Sequence, residues 1–176
     1  MDYMTMLRPT VLTIAAIIQV VTLSAVTSLD VGRYSISRND IYLIPGARAG
    51  EVMPRSGFDK TAVSTVWIVG LGTSNTNYTT YTFQYETSQK FMSYNDVAAI
   101  GTKLLTDSSA LPFHLELLDS TTQRHRIYPT TSNDIAVCGG DKDIYAKFCA
   151  VMNNSPESDN IDFWDFTLVT TPAPAT

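Results

Sequence analysis

No charged side chain stands between Arg8 and Asp30, and Thr10 to Leu29 reads TVLTIAAIIQVVTLSAVTSL with Gln19 as its one strongly polar residue. Twenty helical residues at about 1.5 Å rise make about 30 Å, the thickness of a hydrocarbon core. Residues 1–29 therefore read as an apolar helix. Three roles are open to it: a membrane anchor, a helix in the core of an assembly, or a signal peptide with Arg8 in its leader and small residues Val26 and Ser28 ahead of a cut before Leu29. As an anchor or assembly helix it would make contact through Val11, Leu12, Ile14, Ile17, Ile18, Val21 and Leu23. As an export signal or an outward-facing anchor it delivers the remainder out of the cytoplasm, with residues 30–169 as one head followed by a Thr/Pro-rich tail at 170–176.

Within the head the period changes from helical to alternating. Tyr34-Ser35-Ile36-Ser37 and Ile41-Tyr42-Leu43-Ile44 read as strands joined by the turn residues Asn39-Asp40. Pro45 to Lys60, rich in Gly and Pro, reads as a long loop and a possible contact surface. Ser64 to Leu71 is a central strand by its continuous β-branched run around Trp67, and Asn77 to Tyr85 alternates with Tyr81, Phe83 and Tyr85 on one face. Ser93 followed by Asp96 approximates a capping box, so a helix covering the sheet is expected from Asn95, with Val97, Ile100, Leu104 and Leu105 on its buried side. Phe113 to Leu118, Arg124 to Tyr128, Ile135 to Cys138 and Phe163 to Val169 are strand-like, while Asp143 to Met152 suits a helix or a strand. The triplets Asn39-Asp40-Ile41, Asn95-Asp96-Val97 and Asn133-Asp134-Ile135 are unequally spaced and read as turn and cap signals, not as a repeat. The fold class is mainly β, a small antiparallel sandwich or sheet with one covering helix, preceded by the apolar N-terminal helix.

Cys138 and Cys149 are the two cysteines, close enough in sequence to close a disulfide loop, which agrees with export. Asn77-Tyr78-Thr79 and Asn153-Asn154-Ser155 are glycosylation sequons at Asn77 and Asn153. With 12 basic against 17 acidic residues and a net charge of −5, the chain lacks the clustered Lys/Arg that phosphate recognition needs, so nucleic acid is excluded as a partner.

Candidates for chemistry are few. His114 and Glu116 are two apart on one strand and share a face; Arg124 and Arg126 share a face with His125 opposite; Asp141 and Asp143 offer two oxygens where Ca²⁺ wants six or more ligands. With two histidines, no CxxC, no HExxH and no nucleophile elbow, neither a metal, a cofactor nor a catalytic residue is expected, and the protein is expected not to be an enzyme.

The layout resembles type IV pilins and pilin-like proteins, which place a hydrophobic helix first and close a loop near the C-terminus with two cysteines. The processing glycine and early glutamate of that family are missing from residues 1–19. The resemblance implies a structural subunit that meets copies of itself or other subunits through its N-terminal helix, in a filament, envelope or membrane, with the β head exposed. The alternative is a secreted or cell-surface module that binds protein or glycan after its signal peptide is removed. A small extracellular hydrolase is the third reading.

Overall fold

The computed structural model describes residues 28–46, 50–59, 62–72, 79–95, 97–139, 143–151 and 162–170. Twelve antiparallel strands make up the described chain: β1 Gly32–Arg38, β2 Ile41–Pro45, β3 Val52–Arg55, β4 Val66–Leu71, β5 Thr80–Tyr85, β6 Phe91–Tyr94, β7 Leu104–Asp107, β8 Phe113–Asp119, β9 Arg124–Pro129, β10 Ile135–Cys138, β11 Lys147–Ala150 and β12 Trp164–Leu168. Six of them close a ring. β1 pairs with β4, β4 with β5, β5 with β8, β8 with β9, β9 with β12, and β12 with β1. Closure leaves this barrel without a free edge, which answers the aggregation hazard of a sheet rich in Val, Ile and aromatic residues.

The other six strands form three hairpins, β2–β3, β6–β7 and β10–β11. They seal one end of the barrel by tying to one another in a triangle. Glu51 bridges Leu105, Lys103 bridges Lys147, and the Ala146 amide donates to the Val52 carbonyl at 2.7 Å. The chain thus runs through the same four-strand unit three times, and the core repeats with it. Tyr34 faces Trp67, Tyr81 faces Phe113, and His125 faces Trp164 across equivalent strand pairs. One layer further along, Phe83 faces Val69, Ile127 faces Leu115, and Ile36 faces Phe166. Phe83, Ile127, Ile36, Trp67, Phe113 and Trp164 are all fully buried, each stabilising the fold by roughly 2–3 kcal/mol relative to exposure.

Both tryptophans carry a polar atom into this core and satisfy it the same way. Trp67 Nε1 donates to the Leu43 carbonyl at 2.7 Å, and Trp164 Nε1 donates to the Val137 carbonyl at 2.9 Å. Each bond joins the fourth strand of a unit to its cap hairpin. The middle unit has Phe113 in this place and needs no acceptor.

The expectation of a mainly β, antiparallel head holds, but as a closed barrel and not an open sheet or sandwich. The covering helix from Asn95 to Leu105 is overturned. Residues 97–103 run as turns, Gly101 takes φ +88, and Leu104 begins β7. Val97 and Ile100 are 76% and 70% exposed, so the apolar spacing that suggested a buried helical face serves none. The open hydrogen-bonding edge of β6 supplies the reason: it pairs with β7 and holds Leu104 in register with Tyr94. The Pro45 to Lys60 loop also proves shorter, because Val52–Arg55 form β3, with Pro54 at a strand position opposite Leu43. Lys147–Ala150, which suited either state, is a strand. The predicted N-terminal helix, with its contact residues at positions 11–23, lies outside the described residues; so do the tail from 171 onward, Asn77, Asn153 and Asp141. Among the described residues no helix is long and apolar enough to cross a membrane.

The triplets that read as turn signals are also traces of the threefold plan. Asn39 and Asp40 adopt φ +49 and +61 and turn β1 into β2; Asn133 and Asp134 precede β10, the equivalent strand of the third unit. In the middle unit the matching turn carries Gln89 at φ +58, and Asn95 falls after β6 instead. Asn and Asp tolerate the left-handed region better than most residues, which suits Asn39 and Asp40 to this corner.

Candidate functional site

Strands β8, β9, β12 and β1 stand side by side in the barrel, and their outward positions form one polar and aromatic wall. Alternation places Phe113, Leu115 and Leu117 of β8 toward the core and His114 and Glu116 outward. On β9 the inward residues are His125 and Ile127, and the outward ones Arg124, Arg126 and Tyr128. Register then does the rest: His114 lies opposite Tyr128, Glu116 opposite Arg126, and Arg124 opposite Asp165. Two pairs that were only proximate in sequence are thereby brought onto one surface.

At one end of the wall His114 stacks on Tyr128 with ring centroids 4.9 Å apart and planes 19° from parallel. Burial, partly offset by the nearby Glu116 carboxylate, holds the His114 pKa below its ordinary value. The Tyr128 phenol donates to Glu116 Oε2 at 2.5 Å, and burial together with that acceptor raises its pKa far above the ordinary tyrosine range. Arg126 reaches Glu116 at 3.4 Å and the buried Asp162 carboxylate at 3.2 Å. Glu116, nearly half exposed, keeps lone pairs free to accept from a ligand.

At the other end Asp165 is gripped by Arg124 through Nε at 2.8 Å and Nη2 at 3.4 Å, and touched by Arg38 Nη1 at 3.4 Å. Both guanidiniums lie over the Phe163 ring, Arg38 at 4.2 Å and Arg124 at 5.2 Å from its centroid. Burial and the adjacent Arg124 charge lower the Arg38 pKa somewhat from its very high ordinary value.

His125 points the other way. It is 1% exposed, its Nδ1 donates to the Gln123 carbonyl at 2.9 Å, its Nε2 has no partner among the described residues, and its ring meets Phe166 edge-on. It is a core residue with its pKa depressed by burial. Asp143 pairs with Lys147 at 3.5 Å, away from the wall. Among the described residues no cluster of His, Cys, Asp or Glu is arranged to hold a metal. Cys138 and Cys149 are joined in a disulfide that closes the β10–β11 hairpin.

Sequence reasoning identified His114, Glu116, Arg124 and Arg126 but missed Arg38, Tyr128, Asp162, Phe163 and Asp165. Phe163 to Val169 reads as strand-like, and its alternation with Trp164 and Phe166 inward already implies an outward Phe163 and Asp165. That β12 lies between β9 and β1 could not be read from it.

No family profile matches this sequence, and no curated protein matches it. Solved structures do match in shape. A ricin B-like lectin from Macrolepiota procera, in complex with lactose, superposes with a TM-score of 0.62 at 12% identity, covering 81% of this chain and 99% of the lectin. The Rhizoctonia solani agglutinin gives 0.59 at 14% identity, covering 79% of this chain and 96% of its own. A protein described as the BEL beta-trefoil gives 0.57 at 14%, covering 81% and 96%. The fold is accordingly a β-trefoil: three four-strand units, a six-stranded barrel and a three-hairpin cap.

Proposed function

We propose that this protein is a non-enzymatic glycan-binding module of an exported kind, using the outward wall of β8, β9, β12 and β1 as its recognition surface. The observation that carries the reading is the composition of that wall. Half-buried rings at His114 and Phe163 alternate with carboxylates and planar guanidiniums. Sugars present just these needs: hydroxyls that both donate and accept, beside C–H faces that pack on rings. Support from outside the chain comes from two neighbours of the same fold, one described as a lectin holding lactose and the other as an agglutinin. The disulfide fits an oxidising compartment, where such cross-links persist.

A catalytic use of His114 and Glu116 has less support, since Glu116 is already engaged by Tyr128 and Arg126. The structural-subunit reading rests on residues 1–29 and gains nothing from the described head. The test is equilibrium binding of the folded chain to a panel of immobilised neutral and acidic glycans. Binding that weakens about tenfold or more in Glu116→Ala, as loss of a charged hydrogen bond predicts, supports the proposal. A folded chain that binds no glycan at millimolar concentration overturns it.

A further inference from the structure

Two like charges held over one ring call for an explanation. Arg124 grips Asp165 through a two-pronged contact, and Arg38 is brought in beside it from β1, a strand on the far side of β12. Among the described residues, two guanidiniums against one carboxylate leave one positive charge in surplus, on a chain whose net charge is −5. Each guanidinium carries five N–H donors, and those not directed at Asp165 have no acceptor among the described residues. All three groups are only partly exposed, with side chains 19–26% accessible, so an incoming anion would meet them in a medium less screening than bulk water. Phe163 fixes both cations in place by cation–π contact and offers a ring edge for the rest of the ligand.

We propose that Arg38, Arg124 and Phe163 form an acid-selective subsite, binding the carboxylate or sulfate group of an anionic sugar. This rests on the glycan-binding reading above and narrows its ligand class. The fork geometry of a guanidinium matches a planar carboxylate or a sulfate edge with two parallel hydrogen bonds. Asp165 orients the forks; the ligand's anion supplies the second negative charge that the pair of arginines lacks. The neighbouring Arg126 is no competitor, because Asp162 and Glu116 already outnumber it.

The experiment compares lactose, 3′-sialyllactose and 3′-sulfolactose by calorimetry with the folded full chain at low and high salt. At low salt the anionic ligands bind about tenfold or more tightly than lactose, and the preference shrinks as salt rises. Arg124→Gln and Arg38→Gln both reduce the anionic ligand to the level of lactose, while Lys103→Gln in the cap leaves it unchanged. Arg38→Gln removes one 3.4 Å contact with Asp165 and the contact with the Phe163 ring but leaves the two-pronged Arg124–Asp165 pair in place, so it keeps the test valid should Arg124→Gln disturb folding. A preference for the carboxylate alone or the sulfate alone identifies which anion the subsite takes and supports the proposal. Equal affinity for neutral and anionic ligands overturns the subsite and leaves glycan binding standing. Binding of none of the three, with none on the wider glycan panel, overturns both.

Discussion

Burial of His125 is expected to make the barrel sensitive to acid, and replacing it with leucine to remove that residue's share of the sensitivity. The ring sits in the core layer opposite Trp164 and Leu117, edge-on to Phe166, and none of these neighbours carries a charge. Its folded-state pKa is depressed, chiefly by burial and only partly restored by the hydrogen bond to the Gln123 carbonyl. The unfolded chain therefore binds the proton first as pH falls. Stability is complete above the unfolded-state value of about 6.5 and declines as pH drops from there toward the folded-state value, by at most about 1.4 kcal/mol per pH unit for one proton. At pH 8 the two changes in His125→Leu oppose each other. It loses one hydrogen bond, about 1 kcal/mol, but also removes the unpartnered Nε2, whose burial costs about 1–3 kcal/mol. Gln123 keeps an acceptor role, because the Phe166 amide also donates to its carbonyl at 3.0 Å. The variant is thus expected to match or slightly exceed the wild type at pH 8, and its advantage to widen from pH 6.5 downward. Urea titrations at half-unit intervals from pH 8 to pH 5 read this directly. His114 titrates in the same direction in both proteins, so the decisive quantity is the difference between them. Parallel stability curves across that range refute the assignment of the acid sensitivity to His125.

Two further predictions concern the cap and its attachment to the barrel. Trp67→Phe and Trp164→Phe should each lower stability by about 2 kcal/mol, from a hydrogen bond lost to the cap carbonyl and the volume vacated, and melting curves that do not shift would show that these bonds do not secure the hairpins. Removing the disulfide by Cys138→Ala with Cys149→Ala should cost about 3 kcal/mol in denaturant titrations, since the link closes a loop with a sequence separation of 11; an unchanged midpoint would contradict this.

Alternation within strands was legible in the sequence, because side-chain direction in a strand is a local property. Tyr81, Phe83 and Tyr85 face the core as their spacing required, and Asn39-Asp40 makes the turn its composition signalled. The same locality misled at Val97 and Ile100, where a helical spacing of apolar residues met a chain committed to pairing with β6. The threefold repeat was hidden for a related reason. Its core positions are filled by Tyr34, Tyr81 and His125, and by Trp67, Phe113 and Trp164, sets alike in burial but each broken by one residue of a different type.

By itself, the sequence determined a β head with a disulfide between Cys138 and Cys149, low charge, and the sharing of one face by His114 with Glu116 and by Arg124 with Arg126. Those are consequences of composition and of a period of two along each strand. Tertiary structure alone decided that the strands close into a ring, and closure decided the site. Arg38 and Asp165 are 127 residues apart in the chain, and they meet because β1 and β12 are neighbours in the barrel. A contact of that kind depends on which strands pair, a choice made by the packing of the whole core and written in no single segment.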